Sequence, residues 1–426
     1  MLLWEQDVII MSVGQYVCTK GKKFTGLSPI YEGREGGYLK STKGRGRKIA
    51  YGVIAGLVVL LNIAAWCFSG FSDWYIAHIF PIWVNTYGRF SGLFSFSVGE
   101  ILLCLGVLLT AAAVLLAIVL LVCVLIPAYR RRREKRLFIG AGIFYKIYAW
   151  ILLGVCLIMT LNCTLLYHGN TFNNRYFSGM GRDSYDLEEL LIVRNFVVRR
   201  CNELCGQMER DENGDIIYRG DMQQEAIRIM QALGEEYDGL RGFYPRPKPL
   251  LFSDFMCQQY MQGYYFPFSM EANYNDVMYL MNKPATLCHE LAHLKGYIYE
   301  DEANFIGFLA CVSSDDLFFQ YSGYLSVLYY LDNDFYDAVG GDLERYRQEE
   351  AILPQVHADN IFVKQEDWDR INEEALIDTE IVEAASDSFT EASLKLNGVE
   401  DGMISYNRVV KLLLQYYLDV KSGCEE

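Results

Sequence analysis

Three long apolar runs dominate the first 166 residues: Ile49 to Phe68, Ile101 to Ile126 and Ile143 to Leu166. Each has about 20 residues or more, the length a helix needs to cross the hydrocarbon core of a bilayer, and a soluble core rarely holds three such runs. The pattern predicts transmembrane helices at about 49–68, 101–126 and 143–166. After Leu166 the chain turns polar and the periodicity changes. Leu187, Leu190, Leu191, Val193, Phe196 and Val197 recur at helical spacing, predicting a helix over Asp186–Cys205, and a second is expected over Met222–Tyr237. From Leu250 to Asn275 the texture is strand-like, with Leu250-Leu251-Phe252 and Gly263-Tyr264-Tyr265-Phe266 as short aromatic stretches punctuated by Gly and Pro. Asn282-Lys283-Pro284 then reads as a cap and first turn of a helix that ends at Gly296. Another helix starts near Glu300. Leu317–Leu331 is apolar but, at 15 residues, short for a span, so it is expected as a core helix. The acidic C-terminal third reads as helical, ending in Tyr406–Leu418.

Charge sharpens this division. Residues 1–166 hold 17 Lys+Arg and 7 Asp+Glu, a net of +10, and residues 167–426 hold 21 and 46, a net of −25. The expected organisation is a basic cytoplasmic segment (1–48), a three-helix membrane anchor (49–166) and a polar extracytoplasmic domain (167–426). The fold class is α+β, mainly helical, with a small sheet. An acidic domain excludes nucleic acid as its partner, because a phosphate backbone needs a basic surface. Lys40, Lys43, Arg45, Arg47 and Lys48 precede the first run, and Arg130-Arg131-Arg132-Arg133 lies between the second and third, whereas 69–100 carries only Arg89. Positive loops stay in the cytoplasm, which places the N-terminus inside and residues 167–426 outside. The first run begins too deep for a cleaved signal peptide, and Met11 competes with Met1 as the start. The twelve cysteines show no CxxC pair, which argues against a disulfide framework or a cysteine-zinc module.

The chemistry concentrates in His289-Glu290-Leu291-Ala292-His293. Histidines four residues apart on a helix share one face and can share a metal ion. Zinc accepts neutral imidazole nitrogens and, with three protein ligands, keeps a position for water. Glu290 follows the first ligand and is placed to act as general base. With so few histidines, the pattern is expected by chance in fewer than about 0.01 chains of this composition. Glu300, Glu302 and His357 compete as the third ligand. Glu300 is preferred, since Asn304 lies one turn beyond it, able to hydrogen-bond a ligand. Glu302 is the close alternative. Glu271 reads as lining the substrate edge or as part of a turn. Tyr324, in Tyr321-Ser322-Gly323-Tyr324, reads as an oxyanion donor or, with 31 tyrosines in the chain, as core. His78 and His168 fall near the membrane edges and are not expected as ligands.

His289-Glu290-Leu291-Ala292-His293 followed by Glu300-Asp301-Glu302-Ala303-Asn304 resembles the gluzincin-type zinc metallopeptidases. That resemblance implies a zincin-like domain and assigns Glu300 as the third ligand. Asn304 stands where many gluzincins carry Asp; its amide accepts a hydrogen bond but supplies no charge. The wider pattern resembles the bacterial membrane family called domain of unknown function 3810, through the three spans, Pro267-Phe268 with Glu271-Ala272-Asn273, the metal motif, Tyr321-Ser322-Gly323-Tyr324 and Ser405-Tyr406. The expectation is a multi-pass protein of the bacterial cell membrane, using Zn2+ and water activated by Glu290 to hydrolyse amide bonds of a peptide or protein substrate. The competing reading is a non-catalytic zinc-binding sensor or assembly factor. Intramembrane proteolysis fits less well, because the motif is flanked by Lys283, Lys295 and an acidic cluster.

Overall fold

The computed structural model of the chain describes residues 36–126, 135–178, 182, 184–399 and 408–420. Contacts divide the chain at Ala50, and residues 51–426 form one compact unit. Of residues 1–50, only the start of the first helix is described. Arg130–Arg133, Met1, Met11, Ser405 and Tyr406 lie outside the described residues.

Three helices are long and apolar enough to cross a membrane: α1 (Gly36–Cys67), α2 (Val98–Leu125) and α3 (Lys135–Met159). Their apolar stretches run over Arg45–Cys67, Val98–Leu125 and Arg136–His168, and only 6% of each of the first two is buried. So much exposed apolar surface points to a lipid environment. The ends differ from expectation by local causes. α2 starts three residues early because Ser97 caps it, its hydroxyl accepting the Glu100 N–H at 3.1 Å. α1 and α3 run through basic residues such as Arg47, Lys48 and Arg136, whose long side chains can reach the interface from within a helix.

The polar domain does not begin cleanly at 167. Residues 69–100, expected as an external loop, fold into short helices over Phe71–His78 and Phe80–Trp83, and Tyr75, Phe80 and Val84 join the main core. Leu165 and Leu166, at the end of the third span, are buried in the same core. The reason lies in composition: this loop is aromatic and apolar enough to be buried.

Beyond the anchor, α4 (Leu187–Cys205) opens with a capping box between Asp186 and Glu189, and α5 (Met222–Glu236) is capped by Asp221. A three-stranded sheet follows, made of β1 (Lys248–Pro249), β2 (Gly263–Phe266) and β3 (Glu271–Tyr274). β3 is central, parallel to β1 and antiparallel to β2, with Phe266 opposite Glu271 and Gly263 opposite Tyr274. Leu251–Phe252 is a turn, and the expected strand ends where the Leu250 N–H donates to the Tyr274 carbonyl at 3.0 Å. The Leu251 and Phe252 amides leave the ladder to donate to the Glu100 carboxylate at the top of α2, both at 2.9 Å.

Next come α6 (Lys283–His293), α7 (Glu300–Val312), α8 (Leu317–Ala338), α9 (Thr379–Leu396) and α10 (Val409–Gln415). α6 is wrapped by α5, α7, α8 and strands β2 and β3. α8 is the expected core helix, with Phe319, Leu331 and Phe335 buried, and it extends seven residues further than expected. Asn282 does not cap α6 with its side chain, which donates to the Ile361 and Phe362 carbonyls. The Ser322 hydroxyl of α8 accepts the Ala285 N–H instead. Among the described residues the ten cysteines are unpaired.

Candidate metal centre

α6 carries the motif on its most protected face. Leu287 and Leu291 anchor it in the core, which turns His289, Glu290 and His293 towards β2 and α7. Helices α6 and α7 approach closely at Gly307, where a Cβ would lie 2.9 Å from the Ala285 carbonyl oxygen and 3.2 Å from the His289 nitrogen. No larger residue fits there without parting the helices. This close approach brings the first residue of α7, Glu300, to the two histidines.

The donor atoms form a tight triangle. His289 Nε2 and His293 Nε2 are 3.1 Å apart, and Glu300 Oε2 lies 3.1 Å from the first and 3.8 Å from the second. Bonds of about 2.0–2.2 Å in tetrahedral array separate ligand atoms by roughly 3.3–3.5 Å, so these three atoms fit a single zinc ion. His289, Glu290 and His293 also lie with one donor atom each within 4.8 Å of one another. Glu290 Oε1 is nevertheless 3.9 Å from His289 Nε2, farther than Glu300. The smaller triangle therefore includes Glu300 and leaves Glu290 beside it.

Each ring is held through its Nδ1. His293 Nδ1 lies 2.8 Å from the Tyr297 carbonyl, an acceptor only, so Nδ1 carries the proton and Nε2 offers its lone pair. His289 Nδ1 lies 2.8 Å from Asn304 Oδ1, the orienting contact expected from the sequence. Glu290 Oε2 is buried without a hydrogen-bond partner. Such an orphaned oxygen is costly unless something fills the space before it, and its position fits a base awaiting a water. Gly263 of β2 makes room for this carboxylate, since a Cβ there would lie 2.4 Å from Glu290 Oε1.

Electrostatics separates the four groups. Burial pushes the Glu290 carboxyl up to about 8; the Glu300 charge adds to this and His289 opposes it. Burial lowers His293 to about 4. Burial would also lower His289, but the hydrogen bond and charge of Glu300 outweigh it and raise it to about 9 in the metal-free site. Burial pulls Glu300 up, yet the same histidines hold it below the usual carboxylate range. Without a metal, burial and the neighbouring charges thus favour a proton on both His289 and Glu290 near neutral pH.

Other expected residues fall elsewhere. Glu302 points away from the triangle and accepts the Asn173 N–H at 3.1 Å, steadying the short helix Phe172–Tyr176. Burial and then Asp301 raise it to about 8. Glu271 is not in a turn. It is buried in β3, pairs with Lys248, and accepts the Gly99 N–H at 2.7 Å and the Val98 N–H at 3.2 Å at the start of α2. Tyr324 packs against Phe196, Phe308 and the Arg200 guanidinium, in the core reading. His357 sits in the short helix Pro354–Asp359, and His168 packs at a tilt against Trp66. Gly263, Gly307 and the Tyr297 carbonyl were not foreseen. The lone glycine at the head of an aromatic strand and the glycine inside a helix were the available signals.

The family described as Protein of unknown function (DUF3810) matches residues 75–414. The chain belongs to this family. The DUF3810 match takes in α2, α3, the sheet, the metal motif and α8, and begins after α1. No curated protein and no solved structure matches the chain.

Proposed function

We propose that this DUF3810 protein is a membrane-anchored zinc metallopeptidase of zincin-like build, with His289, His293 and Glu300 as ligands and Glu290 as general base. The observation that carries the reading is the triangle of His289 Nε2, His293 Nε2 and Glu300 Oε2 at 3.1–3.8 Å, with an unpartnered Glu290 oxygen beside it. When bound, zinc acts as a Lewis acid on a carbonyl and lowers the pKa of a water to about 7. Glu290 takes the proton of the attacking water at Oε2 and passes it to the leaving nitrogen. Asn304 and the Tyr297 carbonyl keep both rings in the ligating tautomer. The basic residues before the first apolar run, with Arg89 alone in 69–100, support a cytoplasmic N-terminus and a metal centre on the outer face of a bacterial membrane.

The test compares wild type with Glu290→Gln in purified full-length protein. Both should carry one zinc ion. Hydrolysis of a mixed peptide library should fall by roughly 10²–10⁴ in the variant, the usual worth of a positioned base. Wild-type protein that takes up no zinc, or equal hydrolysis by both, would overturn the proposal. Zinc uptake with no hydrolysis by wild type would favour a non-catalytic sensor.

A further inference from the structure

We propose that the metal centre works at the membrane surface and that its substrates are polypeptides whose cleaved segment lies next to their own membrane anchor. This rests on the peptidase reading for the chemistry and adds where the substrate is held.

Two short routes join the site to the spans. In the first, Glu271 at the start of β3 holds the amides of Val98 and Gly99, the opening turn of α2. Opposite it, Phe266 of β2 packs so closely on Gly99 that a Cβ there would lie 2.7 Å from its ring. The other end of β2 is Gly263, against which Glu290 rests. Three residue steps at about 3.4 Å each make this roughly 10 Å from the top of α2 to the catalytic carboxylate. In the second, Asn162 at the end of the third span donates to the Pro267 carbonyl at 2.8 Å, and its own carbonyl accepts the Tyr265 hydroxyl at 3.0 Å. The Tyr265 ring lies 6.0 Å from the His293 ring. Cys156, six residues earlier, is still exposed on the outer wall of α3. At 1.5 Å per residue that is about 9 Å, again one short step. The headgroup layer adds roughly 5–8 Å to each side of the hydrocarbon core. Both routes therefore set the triangle within or just above that layer.

The surface around the top of α2 agrees. Leu251 (77% exposed) and Phe252 donate their amides to Glu100 in the first turn of α2, so they stand level with the start of the span. Phe255 is exposed one turn on, and Leu93 (77% exposed), Phe94 and Phe96 lie just before Ser97 caps the helix. A rim of exposed apolar and aromatic residues continuous with a membrane span fits the headgroup–acyl boundary of the same bilayer. A site at that height meets a membrane-anchored polypeptide within a few residues of its anchor, since an extended chain covers only about 3.5 Å per residue.

The test uses full-length zinc-loaded protein in lipid vesicles and has two arms. In the first, Phe252→Trp is placed in vesicles with acyl chains brominated near the headgroup. The fluorescence that this tryptophan adds over wild type should fall at least twofold against unbrominated vesicles; no quenching overturns the proposal. In the second, an unstructured polypeptide of about 40 residues and mixed sequence is supplied free or fused to a transmembrane helix, and cuts are mapped by mass spectrometry. The fused form should be cut at least tenfold faster, within about ten residues of the anchor. Equal rates, or cuts spread along the fused chain, overturn the substrate class and leave the peptidase reading standing. No cut in either form overturns both.

Discussion

Gly263→Ala tests the proposed catalytic geometry without touching a proposed ligand. A Cβ at residue 263 would lie 2.4 Å from Glu290 Oε1 and 2.8 Å from its Cδ and Cγ. Ordinary contact begins at 3.4 Å, so the carboxylate must move by about 1 Å. Gly263 does not have a positive φ, so alanine fits its backbone, and β2 is an edge strand with room on one side. The fold should therefore tolerate the change, since removing a strand glycine is itself worth up to about 1 kcal/mol of stability. A 1 Å misplacement at a reacting centre costs on the order of 10²-fold in rate, about 2.7 kcal/mol of barrier. The expected result is kcat/KM on a peptide substrate lowered about a hundredfold, with zinc content and Tm close to wild type. In a Glu290→Gln background, the same substitution should change kcat/KM little, because the group it displaces no longer acts as a base. A Gly263→Ala enzyme within about threefold of wild type, with zinc retained, would refute the placement of Glu290 against β2. Loss of zinc would show that the strand supports the ligands rather than the base.

Three further outcomes follow from the same contacts. Asn304→Ala removes the acceptor from His289 Nδ1 and should weaken zinc affinity by about 10–100-fold, read by competition with a chelator; Asn304→Asp should restore most of it. Lys248→Met leaves the Glu271 carboxylate buried without its cation and should cost about 3–5 kcal/mol, seen as a lower Tm with zinc content intact below it; an unchanged Tm would show the pair contributes nothing. His289 gives the pH dependence. Its metal-free pKa stands above the ordinary 6.5, at about 9, so its charged form stabilises the metal-free fold below pH 6.5 and that stabilisation fades as pH rises to about 9. A zinc-ligating imidazole is neutral throughout, so the Tm gap between zinc-loaded and chelated protein should widen from pH 6.5 to 9; a constant or shrinking gap would contradict it.

What could be read from the sequence was whatever depends on local geometry. His289 and His293 face one way because a helix repeats every 3.6 residues, and Asn304 reaches the site because it stands one turn after Glu300. The three spans were visible through length and hydropathy alone. Glu271 was beyond reach because its partners are far along the chain: Lys248 is 23 residues away and Gly99 172. Leu251–Phe252 failed as a strand for the same reason, since no local signal says that Glu100 takes both amides. Glu302 and Glu300 are equally acidic and two residues apart, and only the direction of the helix at Tyr299 separates a carboxylate that faces the histidines from one that faces Asn173. Tyr324 shows the opposite case, where abundance of a residue type was the right reason to expect packing.

The apolar helices are part of the scaffold on which the His289–His293–Glu300 cluster rests. Tyr75, Phe80, Val84, Leu165 and Leu166 share one core with Leu291 and Phe305, so the core that fixes α6 and α7 is partly built from the anchor and its loop. The buried charges repeat this. Glu271 has Lys248 within the sheet, but two of its other hydrogen bonds come from α2, and Glu100 of α2 has the amides of Leu251 and Phe252. Cutting the chain at 167 would expose apolar surface from the core and leave carboxylate and amide groups on both sides without partners. Each such group costs on the order of 1–3 kcal/mol when left unpaired in a buried setting, a large share of the 5–15 kcal/mol that holds a domain together. The bonds that hold the fold thus tie α6 and α7 to the apolar helices, and residue 167 is no boundary between separate units.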